Sequence, residues 1–468
     1  MRLTINPRRN LNHMERERIF QKHRHPLKTL SLGLQHVLAM YAGAVIVPLI
    51  VGGALNFTAQ QLTYLIAIDL LACGVATLLQ VWGNRLFGIG LPVMLGCAFQ
   101  AVSPMIAIGL TDGAGVSAIY GAIIASGLFV FLFAGLFGKL IALFPPVVTG
   151  SVVTIIGVTL IPVAISDLGG GSPGENPDFG SPLNLALGFG VLLFVILMNR
   201  FAKGFPRSIS VLLGLIAGTL VAALAGKVDL TPLQEASWFH AVQPFYFGKP
   251  TFHASAILTM ILVAIVSVAE STGVFMALGK IVDKEITDKD LTRGYRAEGL
   301  AIMLGGIFNS FPYTTYSQNV GLVQMSRVKT RDVIVVAGAL LILIGFVPKI
   351  AALTQLVPTS VLGGAMIALF GLVLSSGIRM LGDQVDLNRH ENLLIIACSV
   401  GMGLGVTVMP ELFDRLPAAL RILVDNGIVA GSFTAIVMNL LFNGWRGNRK
   451  SALAERSSES NETARATA

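Results

Sequence analysis

Long apolar stretches alternate with short polar connections along nearly the whole chain. We delimit fourteen apolar segments, and most of them reach about 18 residues, the length typical of a membrane-spanning helix. The segments are residues 29–50, 62–81, 87–110, 116–138, 140–165, 183–199, 208–225, 255–279, 296–311, 313–327, 332–348, 356–378, 392–409 and 419–442. The pattern predicts an all-α polytopic membrane protein, in which the segments that begin at residues 87 and 313 deviate most from a plain helix.

The tenth segment and its approach differ from the other apolar runs in their polar content. Residues 308–326 carry no charged side chain, yet they include Pro312, the β-favouring run 313–316 and then Ser317 and Asn319. Proline disfavours helix at the residue before it, and β-branched and aromatic residues favour extended backbone. A short helix follows, with Ser317 or Asn319 as its N-cap. Such a half-extended, half-helical crossing is typical of the substrate sites of secondary transporters.

The third segment resembles the tenth, because residues 87–110 are rich in glycine, contain proline and carry no charge. Seven segments on each side of residues 226–254 predict two seven-segment repeats, 29–225 and 255–442, of inverted topology, since seven is odd. Two spacing matches support the repeat. They pair Leu143, Pro145, Val148 and Gly150 with Leu356, Pro358, Val361 and Gly363, and the interval from Pro92 to Phe99 with that from Pro312 to Asn319.

Composition and charge agree with this topology. Of the 468 residues, 54% are hydrophobic and 12% are charged, which excludes a set of soluble domains. If the N-terminus is cytoplasmic, 28 of the 33 Lys and Arg residues lie on that side and five on the other. This positive-inside bias predicts that both tails, 1–28 and 443–468, are cytoplasmic, and it explains the net charge of +8 without a nucleic-acid partner. We expect no removable signal peptide, an external loop at 226–254 and a disordered C-terminal tail.

The sequence offers no enzyme motif. Cys73, Cys97 and Cys398 lie in apolar runs without CxxC spacing, which is typical of packing residues. Of the seven histidines, only His36 lies in a predicted segment, and no metal-ligand or nucleophile motif is present. We therefore expect neither an enzyme nor a metal site.

Three ionisable residues within or near the middle of the segments are candidates for function. Glu270 lies deep in the eighth segment, where a carboxylate is expensive unless it is paired or protonated, so it is our candidate for proton exchange. The alternative is a neutral acid that is hydrogen-bonded to a neighbouring helix. His36 either relays protons or orients Glu270, or it is a structural histidine between helices. For Asp69 we favour a helix–helix hydrogen bond over a functional role.

Three further polar residues complete the candidate set. Glu298 lies near the predicted start of the ninth segment, where it is either a second coupling site or a solvated acid. Gln318 and Asn319 are adjacent amides at a helix break, so they offer paired donors and acceptors to a ligand or cap the broken helix.

At these residues the chain resembles the nucleobase-ascorbate transporter family, also called nucleobase-cation symporter family 2, and within it the bacterial xanthine and uric acid permeases. The family signature is matched from Gln318, Asn319 and Gly321 to Arg327, with Ser326 where threonine is usual. Three further stretches match: Gln35 with His36, the ESTG run that begins at Glu270, and the third-segment run that ends at Phe99.

The resemblance implies fourteen segments in two inverted repeats, a core domain that moves against a gate domain, and usually a homodimer in the bacterial cell membrane. Segments 3 and 10 would each contribute a short strand. By position, Glu270 and Gln318 would bind the substrate, Asn319 would support the site and Phe99 would line it, while His36 and Glu298 would be secondary polar positions. Val274 stands where many relatives carry a polar group, so this chain has no second ionisable residue at that position.

Substrate and coupling follow from the same residues. Relatives that prefer uracil tend to carry Glu where this chain has Gln318, so the resemblance favours a purine. An oxidised purine presents alternating N–H and C=O groups, which complement a carboxylate and an amide. No sodium-site cluster of carboxylates and hydroxyls is evident, so the coupled ion is expected to be a proton carried by Glu270. We expect proton-coupled xanthine uptake without a cofactor; the alternatives are uric acid, then uracil, and from another class a passive channel.

Overall fold

The computed structural model describes residues 26–111, 113–140, 144–172, 174, 176–326, 328–413, 415–417, 421 and 424–444. Its helices are α1 Pro26–Ala54, α2 Ala59–Trp82, α3 Val102–Leu110, α4 Gly115–Leu140, α5 Pro146–Gly169, α6 Pro182–Phe201, α7 Phe205–Ser208, α8 Ser210–Leu224, α9 Thr231–Glu235, α10 Ala254–Ile281, α11 Asp288–Ile307, α12 Ser317–Ser326, α13 Asp332–Gly345, α14 Pro348–Gln355, α15 Thr359–Gln384, α16 His390–Val408 and α17 Gly427–Gly444. Two strands, β1 Leu95–Cys97 and β2 Tyr313–Thr315, complete it. Most of both predicted tails, together with Leu143 and Arg327, lies outside the described residues.

The prediction of a mostly helical, multi-pass membrane protein is confirmed. Within the described part of the chain, nine helices are long and apolar enough to cross a membrane, and α13 with α14 makes a tenth if this pair, bent by 80°, forms one span. Each of the fourteen predicted segments coincides with a helix or with a strand followed by a helix. The units α3, α8, α11 and α12 are too short or too polar to count as spans by composition alone.

The predicted start of the ninth segment, at residue 296, is wrong. Helix α11 begins at Asp288, because the Thr287 side chain accepts from the Asp290 backbone N–H while the Asp290 carboxylate accepts from the Thr287 N–H. This capping box starts a charged first turn that an apolar run does not include. Glu298 therefore lies about three turns inside the helix and not near its start.

Three other predicted boundaries also shift, each for a local reason. Helix α5 begins at Pro146, later than residue 140, after Pro145 in extended conformation. Helix α17 begins at Gly427, later than residue 419, because the Asn426 side chain accepts from the backbone N–H groups of Ile428 and Val429. The eleventh segment ends as a helix at Gly345, and α14 starts afresh at Pro348.

The two strands form an antiparallel pair, with Gly96 opposite Thr314. Two backbone hydrogen bonds of 2.9 Å flank the pair: Ala98 N–H donates to the Pro312 carbonyl, and Tyr316 N–H donates to the Met94 carbonyl. A local two-fold axis through Gly96 and Thr314 exchanges these two bonds. The extended backbone of residues 313–316 predicted from sequence is thus confirmed, and its partner is the third segment.

The register of this pair corrects one of the two spacing matches. The local two-fold axis brings Phe99 onto Ser317 and Gln100 onto Gln318. The match of Phe99 with Asn319, both seven residues after a proline, is therefore wrong by two residues. Equal spacing from a proline did not reveal the offset, because hydrogen bonding between distant segments sets the register.

Helix packing divides the chain into two groups. Helices α5 and α15 pack extensively against each other, with Pro145 and Pro358 directly before them. Glycine makes this contact close, since a Cβ at Gly363 would lie 2.1 Å from the Leu168 nitrogen. Helices α6 and α16 pack on this pair, whereas α4 packs on α11 and α10, and α13 packs on α2 and α1. The strands lie in the second group, against α10, α11 and α2.

The connection between α8 and α10 folds onto the second group of helices. The ring of Phe247 stacks on Phe57 with centroids 4.7 Å apart, and Tyr246 stacks on Tyr64 at 3.9 Å. Trp238, by contrast, is 74% exposed. The aromatic residues of this connection are therefore packed against helices in one part and exposed in another.

Candidate functional site

Glu270 is the centre of a polar cluster on the middle of α10. Its Oε2 accepts a hydrogen bond of 3.2 Å from Gln100 Nε2, which also donates to Ser267 Oγ at 2.7 Å. Ser267 and Glu270 are three residues apart and share one face of the helix. Gln100 belongs to the short 3₁₀ turn Phe99–Ala101 that follows β1. The turn thus brings an amide from the third segment onto the carboxylate of the eighth.

The Glu270 side chain also borders a small gap between helices. It is partly buried and lines a narrow pocket of about 10 Å³, close to the smallest volume that holds one water molecule. The other lining residues are Phe144, Thr149, Val152, Val153, Ile156, Val266 and Ala269. Since Thr149 to Ile156 belong to α5, the carboxylate lies where the two groups of helices meet.

Gln318 and Asn319 begin the helix that follows β2, but they face different surroundings. Gln318 is partly exposed, and no hydrogen bond of its side chain is present among the described residues. Asn319 is buried, and its Nδ2 lies 3.1 Å from both the backbone carbonyl and the Nδ1 of His36. Adjacent residues on a helix point about 100° apart, which separates the two amides. Gln318 is therefore available to a ligand, whereas Asn319 fastens α12 to α1.

His36 contacts Asn319 and makes no hydrogen bond to Glu270 within the described part of the chain. Because the Asn319 amide donates to Nδ1, the imidazole accepts there and carries its proton on Nε2. The ring is 3% exposed. This geometry is that of a structural histidine between helices, one of the alternatives for His36.

Phe99 packs between aromatic rings of the two groups of helices. Its ring lies 6.0 Å from the ring of Tyr316 and meets Phe370 of α15 edge-on at 5.9 Å. It is 8% exposed. Phe99 therefore contacts both groups of helices close to the Gln100 turn.

Glu298 is a second buried acid beside the cluster. It is fully buried, and neither carboxylate oxygen has a hydrogen-bond partner among the described residues, although the side chain lies next to Ser271 and interacts electrostatically with Glu270. An unpaired carboxylate anion is strongly disfavoured at such depth, which makes Glu298 a candidate to hold a proton. Val274, one turn after Glu270, is buried among apolar side chains and adds no polar group.

Sequence reasoning missed Gln100. The residue is 1% exposed and is the one amide in residues 87–110. An isolated glutamine in an interrupted, uncharged membrane segment is the sequence signal that points to it, whereas the family resemblance points to its neighbour Phe99. The contact with Glu270 depends on the packing of the third segment against α10, and no local pattern encodes it.

Residues 27–412 match the family model described as "Permease family", whose members include xanthine and uric acid permeases. The chain belongs to the nucleobase-ascorbate transporter family. The resemblance noted in the sequence is thereby confirmed, and the chain is a transporter and not an enzyme.

Three relatives cover nearly all of this nucleobase-ascorbate transporter. A nucleobase transporter of Paenibacillus larvae, PlUacP, is 70% identical over 89% of this chain and 94% of its own. The xanthine permease of Bacillus subtilis is 60% identical over 89% of this chain and 94% of its own. The uric acid permease PucK of the same organism is also 60% identical, over 89% of this chain and 96% of its own.

A solved structure shares the fold. The transmembrane domain of the cyanobacterial bicarbonate transporter BicA superposes with a TM-score of 0.62 at 15% identity, over 85% of this chain and 98% of that chain. At this identity the likeness shows the fold alone.

Proposed function

We propose that the protein takes up xanthine across the bacterial cell membrane by alternating access, coupled to protons. The observation that carries the proposal is the Glu270 carboxylate, which Gln100 holds at a pocket between the two groups of helices. The partly exposed Gln318 stands at the start of the neighbouring α12. These two side chains stand on neighbouring helices, and a carboxylate and an amide are the groups that a purine dione requires.

The chemistry of recognition follows from the donors and acceptors. Xanthine offers ring N–H groups that donate to a carboxyl oxygen of Glu270, and alternating C=O and N–H groups that the amide of Gln318 matches as donor and as acceptor. A buried polar group left unpaired costs about 1–3 kcal/mol, which is enough to reject analogues that lack one of these groups. Phe99 supplies an apolar wall beside them.

The arrangement of helices supports the finer architecture of fourteen spans in two inverted repeats. If the first seven predicted segments correspond in order to the last seven, α4 corresponds to α13 and α2 corresponds to α11. The contact of α4 with α11 then corresponds to the contact of α13 with α2. Likewise the contact of α10 with α4 corresponds to that of α1 with α13. The contact of α6 with α15 corresponds to that of α16 with α5. All of these contacts occur. In this proposal α5, α6, α8 and α15–α17 form the gate, and the remaining long helices form the core with the strands.

Proton coupling is assigned to Glu270, with Glu298 and His36 as secondary polar positions. Glu298 is fully buried and Glu270 partly buried, and a charge on Glu270 opposes a charge on Glu298, so a proton taken up at Glu270 changes the charge of the pair. One charge moved through 100 mV supplies about 2.3 kcal/mol, enough for substantial accumulation.

Uric acid is the second candidate substrate. The relatives named for xanthine and for uric acid are equally similar to this chain, at 60% identity each. The two purines differ at one ring position, so the same carboxylate and amide fit both. The remaining assignments are cytoplasmic termini, which rest on the charge bias, and a homodimer, which rests on the family resemblance.

The decisive experiment is uptake of radiolabelled xanthine into cells that lack their own purine permeases. Unlabelled uric acid, hypoxanthine and uracil serve as competitors, and a protonophore tests coupling. We expect accumulation that the protonophore abolishes, loss of uptake in Gln318→Ala, and normal uptake in Gln234→Ala, which changes an exposed glutamine of the external α9. Strongest competition by uracil would overturn the purine assignment, and equilibration without accumulation would overturn the coupling.

A further inference from the structure

Two glutamines occupy corresponding places at the site. The local two-fold axis of the strand pair brings Gln100 onto Gln318, each the second residue of the helical turn that begins after its strand. Their surroundings differ, because Gln100 is 1% exposed and doubly hydrogen-bonded, whereas Gln318 is partly exposed. The two corresponding amides thus differ in what they can contact: Gln100 is bound within the protein, whereas Gln318 is accessible.

The hydrogens around Gln100 have a single consistent arrangement when Glu270 is ionised. Ser267 Oγ donates to the Val263 carbonyl at 3.1 Å, so its lone pairs accept from Gln100. The second Nε2 hydrogen of Gln100 then points at Glu270 Oε2. With the amide reversed, its oxygen would face the carboxylate, which is repulsive unless Glu270 carries a proton.

The carboxylate is therefore held by one oxygen only. Oε2 of Glu270 accepts from Gln100, while Oε1 has no hydrogen bond among the described residues, and the side chain borders the pocket. A carboxylate fixed at one oxygen presents the other in a defined direction, which is what recognition of a ring N–H requires.

We propose that Gln100 is a positioning residue that orients Glu270 for substrate and ties the affinity of the site to the protonation of that carboxyl. Ser267 anchors the amide, Gln100 holds Oε2, and Oε1 meets the substrate. The proposal rests on the proposed function in one respect: it takes Glu270 as the carboxylate that binds the purine.

The first test uses Gln100→Met, which keeps the length of the side chain and removes the amide. We expect the KM for xanthine, or for uric acid if that is the substrate, to rise about tenfold, since a hydrogen bond to a charged group is lost. Vmax and the melting temperature in detergent stay near wild type. In a Glu270→Gln background, Gln100→Met adds no further loss of binding to the purified protein, because Gln100 acts through the carboxylate. Additive losses, or a wild-type KM, would overturn the proposal.

The second test uses Gln100→Glu and stays informative if the methionine variant does not fold. The new carboxyl donates to Glu270 only when it is protonated. The quantity measured is uptake by Gln100→Glu divided by uptake by wild type at the same pH. We expect this ratio to be low at neutral pH and to rise in acid, whereas a purely structural role predicts the same ratio at every pH. A constant ratio would refute the positioning role while leaving purine transport intact. A wild-type protein that takes up no purine would refute both proposals.

Discussion

Asp69 accepts a hydrogen bond of 3.1 Å from the hydroxyl of Tyr313, across the contact between α2 and β2. Ser310 donates to the same carboxylate oxygen at 3.0 Å, and the two hydroxyls lie 2.6 Å from each other. All three side chains are fully buried. Asp69 is therefore a hydrogen-bonding residue, but its partners lie in β2 and directly before it and not in a second helix as expected, so it holds the first residue of the strand that precedes Gln318.

Removal of this acceptor should loosen β2. We expect Asp69→Ala to destabilise the protein by about 1–3 kcal/mol, because two buried hydroxyls lose their acceptor. Asp69→Asn, which keeps one acceptor oxygen, should lose less. The melting temperature in detergent, followed by size-exclusion chromatography, gives the measurement. Tyr313→Phe is the matched control that removes one donor only, and equal stability of Asp69→Ala and wild type would contradict the role.

The centre of the strand pair should tolerate no side chain. A Cβ at Gly96 would lie 2.4 Å from Cε2 of the Tyr316 ring, a distance that forces the ring or the strand to move. We expect Gly96→Ala to reduce uptake at least about tenfold, since Tyr316 leads directly into Ser317 and Gln318. Gly190→Ala on α6 is the control, because a Cβ there meets no atom of the described residues within 4 Å. Equal uptake by the two variants would contradict the expectation.

The contact between Asn319 and His36 predicts which substitutions are tolerated. Nδ1 of His36 accepts from Asn319, and the carbonyl oxygen of an asparagine side chain stands close to the place of that nitrogen. His36→Asn should therefore keep much of the uptake, whereas His36→Leu leaves the buried Asn319 amide short of an acceptor and should lose about tenfold or more. Substrate KM and surface expression, measured for both variants, check this. Equal loss in both would indicate that the imidazole has a role beyond this bond.

Sequence patterns located the strand of the tenth segment because its causes are local. Pro312, Thr314 and Thr315 restrict the backbone whatever surrounds them. The pairing of this strand with Gly96 is not local, because the register arises from hydrogen bonds between segments more than 200 residues apart. For this reason the proline-based spacing led to Asn319, whereas the strand pair relates Gln100 to Gln318.

The polar residues likewise divide into those with a local sequence signal and those whose place depends on where a helix begins. Glu270 was found because a carboxylate in an apolar run stands out by composition alone. The different directions of Gln318 and Asn319 follow from the helix that begins at Ser317, whose start the sequence left open between two residues. Glu298 was placed near a helix end because the first two turns of α11 are charged and escaped the apolar count.

Glu298 provides a direct test of how protons are coupled to transport. Its carboxyl is fully buried without a hydrogen-bond partner among the described residues, and it interacts with Glu270, so a charge on one acid opposes a charge on the other. Glu298→Gln keeps the shape and removes the ionisable group. We expect exchange of labelled for unlabelled substrate at equilibrium to stay within about twofold of wild type, because the variant leaves the binding residues in place.

Accumulation driven by an imposed proton gradient should respond differently in the same variant. Without the ionisable partner, protonation of Glu270 no longer depends on Glu298, and the steepness of uptake against external pH should fall. Proteoliposomes with a set internal pH allow exchange and accumulation to be measured on one preparation. Glu298→Asp, which retains an acid, is the matched control. An unchanged pH dependence in Glu298→Gln would show that Glu270 couples the proton alone, and loss of exchange as well would assign Glu298 to the structure of the site.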